Sequence, residues 1–148
     1  MTAGCELCAV SEKSDGGGGS EIYRCEAYRI VLVDDAAFPG FCRVIWNAHV
    51  MEVTDLDWPE RNVLMNAVWQ VEQAVREVMA PDKVNLASLG NVVPHLHWHV
   101  IPRYRDDSHF PNPVWAAPRR PADALQLEAR RARLPALVEA IKRLAGAQ

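Results

Sequence analysis

Three histidines stand at every second position in His95-Leu96-His97-Trp98-His99-Val100-Ile101. The chain holds five histidines in all, so most of its imidazole chemistry is concentrated in one heptapeptide. In an extended strand, side chains alternate between the two faces. His95, His97 and His99 therefore share one face, while Leu96, Trp98 and Val100 share the other. Three uses of such a row stay open at this point. The imidazoles can be satisfied, half-buried groups with no chemistry. They can form a His-only metal site with alternate residues as ligands. Or one can attack phosphorus and form a phosphoramidate, while its neighbours bond the non-bridging oxygens and protonate the leaving group.

A second constellation is Cys5-Glu6-Leu7-Cys8. The N-terminal MTAGCELC has neither a basic stretch nor a long apolar one, so no export signal is expected in it. Thiols or metal ligation are then favoured over disulfides for all four cysteines, and the cytoplasm is the expected location. A redox role is disfavoured, because such a CxxC usually opens the helix of a thioredoxin-like unit, and no such unit is evident. Two thiols in a loose tail are the plain alternative. Cys25 and Cys42 read as core or strand residues, and His109 as a loop histidine.

The elements that must position these groups follow from periodicity and punctuation. Glu21–Glu26 and Tyr28–Val33 form a hairpin of strand formers, and Phe41–Trp46 follows the turn at Pro39-Gly40. The run Ser14–Ser20 reads as a native flexible loop before the first strand rather than a linker scar. Asp57, with Pro59 and Glu60 behind it, caps a helix carrying Val63, Leu64, Ala67, Val68, Val71, Val75, Val78 and Met79. That helix stops before Pro81. Val84–Leu89 and Leu96–Ile101 are two further strands. Residues 102–121 form an extended tail, and a last helix over about 122–145 is interrupted or kinked at Pro135. Five tryptophans are expected mostly in the core, with Trp98 behind the histidine row. The order ββ–β–α–β–β–α makes an α+β domain with a mainly antiparallel sheet.

Composition narrows the partners. At 148 residues and a net charge of −3, the chain suits one domain with no broad basic field, which argues against bulk nucleic-acid binding. No apolar run reaches the roughly 18–20 residues of a membrane span.

The heptapeptide His95–Ile101 fills every position of the pattern His-φ-His-φ-His-φ-φ, with φ apolar, and so resembles the histidine-triad (HIT) family. The order of Tyr28–Val33, Pro39-Gly40, Phe41–Trp46, His49, the long helix, the Asn85 strand and Ile101-Pro102-Arg103 extends the similarity over about residues 5–115. Residues 116–148 form a C-terminal extension of one domain spanning 1–148. The resemblance implies a HIT-like α+β fold of about five antiparallel strands and one long helix, and a homodimer as the partner state. It implies His97 as the nucleophile toward a nucleotide α-phosphate, with His99 contacting the phosphate and bridging oxygen. It also implies Asn91 and Asn85 as polar positions of the phosphate pocket, and Asp34 or Asp35 as the residue holding the ribose hydroxyls. Two departures stand out. Gly90-Asn91-Val92 replaces the usual Gly-Gln-Ser or Gly-Gln-Thr, so a hydroxyl donor is missing. Trp46-Asn47-Ala48-His49 replaces Pro-Lys-Arg-His and removes two positive charges.

Some members of the superfamily bind zinc through an N-terminal CxxC, a histidine after the third strand and the first triad histidine. The matching residues are Cys5, Cys8, His49 and His95. A zinc closed by four protein ligands has no open position for water and acts structurally. Trp115, in the tail, matches residues that approach the partner subunit's site in the family, or else simply packs. The implied activity is hydrolysis of nucleoside phosphoramidates or dinucleoside polyphosphates. The alternatives are nucleotidyl transfer to phosphate or a sugar phosphate, and a zinc-stabilised nucleotide binder with little turnover.

Overall fold

The computed structural model describes residues 4–9 and 18–147. The expected loop at Ser14–Ser20 lies outside the described residues over 14–17, and Gly19 and Ser20 already belong to the first strand. Five strands form one antiparallel sheet: β1 (Gly19–Arg24), β2 (Tyr28–Val33), β3 (Cys42–Trp46), β4 (Lys83–Ala87) and β5 (His97–Arg103). Their spatial order is β1-β2-β3-β5-β4, so the histidine strand lies inside the sheet, between β3 and the edge strand β4. The expected α+β architecture holds.

One face of this sheet is covered by α2 (Trp58–Met79). Its N-terminus is the expected capping box. The Asp57 carboxylate accepts the backbone N–H of Glu60 at 2.9 Å, and the Glu60 carboxylate accepts that of Asp57 at 2.9 Å. Two of the donors that open every helix are satisfied in this way. Leu64, Ala67, Val68, Val71, Ala74, Val75 and Met79 bury the apolar stripe against Tyr28, Ile30, Val44, Trp46 and Val100 of the sheet. The tight turn before β3 depends on Gly40, whose φ of +93° favours glycine. A Cβ at this glycine would also lie 3.1 Å from the Met79 side chain.

The expected last helix is two: α3 (Ala124–Arg131) and α4 (Leu134–Ala145). Pro135 sits in the first turn of α4, where its missing N–H costs nothing. The break consequently falls just ahead of it. Leu137, Ala140, Ile141 and Ala145 then join the main core beside α2 and β1.

Strand bounds shift by a few residues from expectation. The largest consequence is at β5, which starts at His97. His95 and Leu96 precede it, held by Leu96 N–H to Val50 O at 2.8 Å and Trp46 N–H to Leu96 O at 3.1 Å. A short helix, α1 (Glu6–Ala9), was not anticipated. Its Leu7 packs on Val31 and Ile45, on the sheet face opposite α2. The tryptophans divide more evenly than expected. Trp46 is buried and Trp98 half-buried on the α2 side, but Trp58, Trp69 and Trp115 are exposed. Trp58 and Trp69 lie off the apolar stripe of α2, so helical phase outweighs their hydrophobicity. No helix among the described residues is long and apolar enough to cross a membrane.

Candidate active site and metal centre

The free face of the sheet carries two adjoining sites, and His95 links them. The first is a cluster of Cys5, Cys8, His49 and His95, whose donor atoms all lie within 4.8 Å of one another. The His95 Nδ1 stands 3.5 Å from each of the two sulfurs and 3.3 Å from the His49 Nδ1, and that nitrogen is 3.4 Å from the Cys8 Sγ. Bond lengths of a tetrahedral zinc require neighbouring donors about 3.3 Å apart for two nitrogens and about 3.5 Å for nitrogen and sulfur. These spacings match the edges of such a tetrahedron. The His95 Nε2–H donates to Trp46 O at 2.6 Å, which leaves the Nδ1 lone pair facing the cluster. Cys5, Cys8, His49 and His95, singled out in the sequence, are thus brought together, with Cys8 on α1 and Cys5 just before it supplying both thiols.

The second site is a cavity of about 500 Å³ over His97 and His99. The His97 Nδ1–H donates to His95 O at 2.6 Å. This bond selects the tautomer whose Nε2 carries a lone pair. Burial holds His97 below the usual histidine pKa, with the His95 carbonyl opposing and Arg43 adding to the shift. Burial, then the charges of His97 and Arg43, push His99 down to about 4. Both imidazoles are accordingly neutral near pH 7. The His99 ring lies between Phe41 at 5.5 Å and Trp115 at 5.1 Å, and its Nδ1 is buried without a hydrogen-bond partner in the described structure.

The other expected residues fall in different places. Asn91 lines the cavity, next to Gly90 with φ +77°. Asp35 is near enough to Arg43 to oppose the effect of burial on that guanidinium. Its Oδ1 is set by the N–H groups of Ala37 at 2.9 Å and Phe38 at 3.3 Å. Asp34 is exposed and lines a separate groove with Gly18 and Leu134. Asn85 shares the histidine face, opposite Ile101, but does not line the cavity. Its Oδ1 accepts from Arg103 Nη1 at 2.8 Å. Arg103 in turn forms a buried bidentate pair with Asp107, at 2.8 and 3.2 Å, and donates to Asn112 O at 2.7 Å. This network fastens the tail that carries Trp115 over its own chain's His99. Asn47, at the departure from the common charged run, donates to Cys25 O and Glu26 O at 2.9 Å each and so closes the β1–β2 turn.

Sequence reasoning missed Arg43 and the contribution of α1. Arg43 lines the cavity and pairs with His99 across β3 and β5. Its signal was present as a lone cation within the otherwise apolar Phe41–Trp46. Glu6 and Leu7 also line the cavity, so the Cys/His cluster and the cavity share a wall.

A model of the HIT domain matches residues 19–106. The chain belongs to the HIT domain family. Among solved structures, this HIT protein is similar to a histidine triad protein from Bradyrhizobium japonicum, at 27% identity and a TM-score of 0.70, over 91% of this chain and 94% of the other. It is also similar to a zinc-bound histidine triad family protein from Mycobacterium smegmatis, at 26% identity and a TM-score of 0.60, over 95% and 99% of the two chains. The asymmetrical bis(5′-nucleosyl)-tetraphosphatase of Schizosaccharomyces pombe is 28% identical over 95 residues, 61% of this chain. The match spans about half, 52%, of that curated relative's length.

Proposed function

We propose that this HIT protein hydrolyses nucleotides at the α-phosphate, through a covalent intermediate on His97, with phosphoramidates or dinucleoside polyphosphates as substrates. The observation that carries this reading is the 2.6 Å bond from His97 Nδ1–H to His95 O beside a cavity that His97 itself lines. The bond leaves a neutral Nε2 lone pair as the attacking group, and positive charge arising on the ring is shared with a fixed carbonyl. In the first step the Nε2–phosphorus bond forms and the bond from phosphorus to the leaving nitrogen or oxygen breaks. The leaving group keeps the electron pair and takes up a proton through solvent. In the second step water adds to phosphorus, the phosphorus–Nε2 bond breaks and the water's proton is lost to solvent. The nucleoside monophosphate is released and His97 is regenerated.

In this reading His99 and Asn91 bond the phosphate oxygens and the bridging atom. Asp35 holds the ribose hydroxyls, with Asp34 beside it in sequence but turned away. Asn85 acts from behind, through Arg103. Cys5, Cys8, His49 and His95 would hold a zinc ion, which would supply structure by tying α1 to the residue whose carbonyl orients His97. Thiolate ligands of this kind suit a reducing cytoplasm. The chain pairs as a homodimer through exposed Trp69 on α2 and Leu86 on edge strand β4.

The test is a substrate panel of adenosine and guanosine phosphoramidates and diadenosine polyphosphates, run with wild type and His97→Ala. Wild type releases nucleoside monophosphate and, on acid-free quenching, shows a mass adduct that the variant lacks. Equal turnover by the two proteins would remove His97 from the mechanism.

A further inference from the structure

Arg43 stands in a position that packing alone does not explain. Two residues away on either side stand Phe41, just before β3, and Ile45 within it, both buried and apolar. Across the sheet one row runs Val31, Arg43, His99 and Ala87, which places the guanidinium stem at the centre of the face. Taking a cation out of water at the middle of a sheet is costly unless an anion meets it. Asp35 is one such anion, and burial nonetheless remains the largest influence on Arg43, lowering its pKa. Among the described residues, Arg43 is the one lysine or arginine that lines the cavity over His97.

We infer that Arg43 is the phosphate-binding cation of this site: its guanidinium takes two non-bridging oxygens of the bound nucleotide's phosphate beside His97. The inference rests on the nucleotide-hydrolase reading above. Chemistry supports the assignment. A planar guanidinium offers paired N–H donors that match two phosphate oxygens, and it keeps its charge where a lysine would lose it. On the opposite wall Gly90, Asn91 and Val92 offer neither a hydroxyl nor a cation. Phe41, whose ring centre is 5.9 Å from the Arg43 guanidinium carbon, limits the directions the fork can take.

A structural arginine and a phosphate-binding one differ in what they do to ligand preference. The experiment measures binding of AMP and adenosine, and of GMP and guanosine, by calorimetry in phosphate-free buffer. Wild type, Arg43→Gln and Arg43→Lys are compared as the full chain. In wild type the monophosphate binds more tightly than its nucleoside. In Arg43→Gln that ratio falls at least tenfold while nucleoside affinity changes by less than threefold. Arg43→Lys keeps part of the ratio, and serves as the measurable variant if the glutamine form fails to fold. The same ratio in wild type and in the folded variants would overturn the role of Arg43 alone. Failure of wild type to bind either monophosphate would overturn the nucleotide reading together with it.

Discussion

His99 gives the sharpest link between structure and a bulk measurement. Its ring is enclosed by Phe41 and Trp115, and the titratable and charged groups facing it are His97 on its own strand and Arg43 on β3. Burial first, then those two groups, hold its pKa at about 4, against an ordinary histidine value of 6.5. The unfolded chain therefore binds this proton more readily than the folded one. Stability is complete above the unfolded pKa and is lost as pH falls from about 6.5 toward 4. Carrying the two pKa values through the linkage relation, His99 alone removes about 2 kcal/mol between pH 7.5 and pH 5, and about 3 kcal/mol in full. His97 is shifted in the same direction, so the wild type total is larger. The comparison with His99→Gln isolates the single residue. Urea unfolding of both proteins at pH 7.5 and pH 5 measures the two differences. The wild type is expected to lose about 2 kcal/mol more than the variant over that interval. Equal losses would refute the reasoning, because they would mean that His99 is protonated in the fold as easily as in the open chain.

Three further outcomes are expected. Cys8→Ser removes one donor of the four-residue cluster and should abolish stoichiometric zinc in the purified protein, as read by metal analysis, with a fall in melting temperature because metal binding couples to folding. Asp107→Ala leaves Arg103 buried without its carboxylate and should cost about 3–5 kcal/mol in urea unfolding; a cost under 1 kcal/mol would mean that the pair is dispensable. Leu137→Ala opens space in the fully buried face of α4 and should cost about 2–5 kcal/mol. A single cooperative transition in that variant would show α4 unfolding with the sheet rather than as an appendage.

Groups with local signatures were legible from the residues alone. Alternation placed His97 and His99 on one face, because a strand has a period of two whatever it packs against. The Asp57–Glu60 cap and the halt before Pro81 marked α2, because capping and proline stereochemistry act within a turn. Pro135 marked the break in the C-terminal helical region for the same reason. The family pattern joined Cys5, Cys8, His49 and His95 before any distance was known. Tertiary structure alone decided what depends on register between distant strands. It set Arg43 opposite His99, separated Asp35 from Asp34, and turned Asn85 toward Arg103 rather than the cavity. It also laid α1 over Val31 and Ile45, so that the Cys/His cluster shares a wall with the cavity. These placements arise from strand pairing and from side chains competing for buried partners, which neither periodicity nor spacing along the chain encodes.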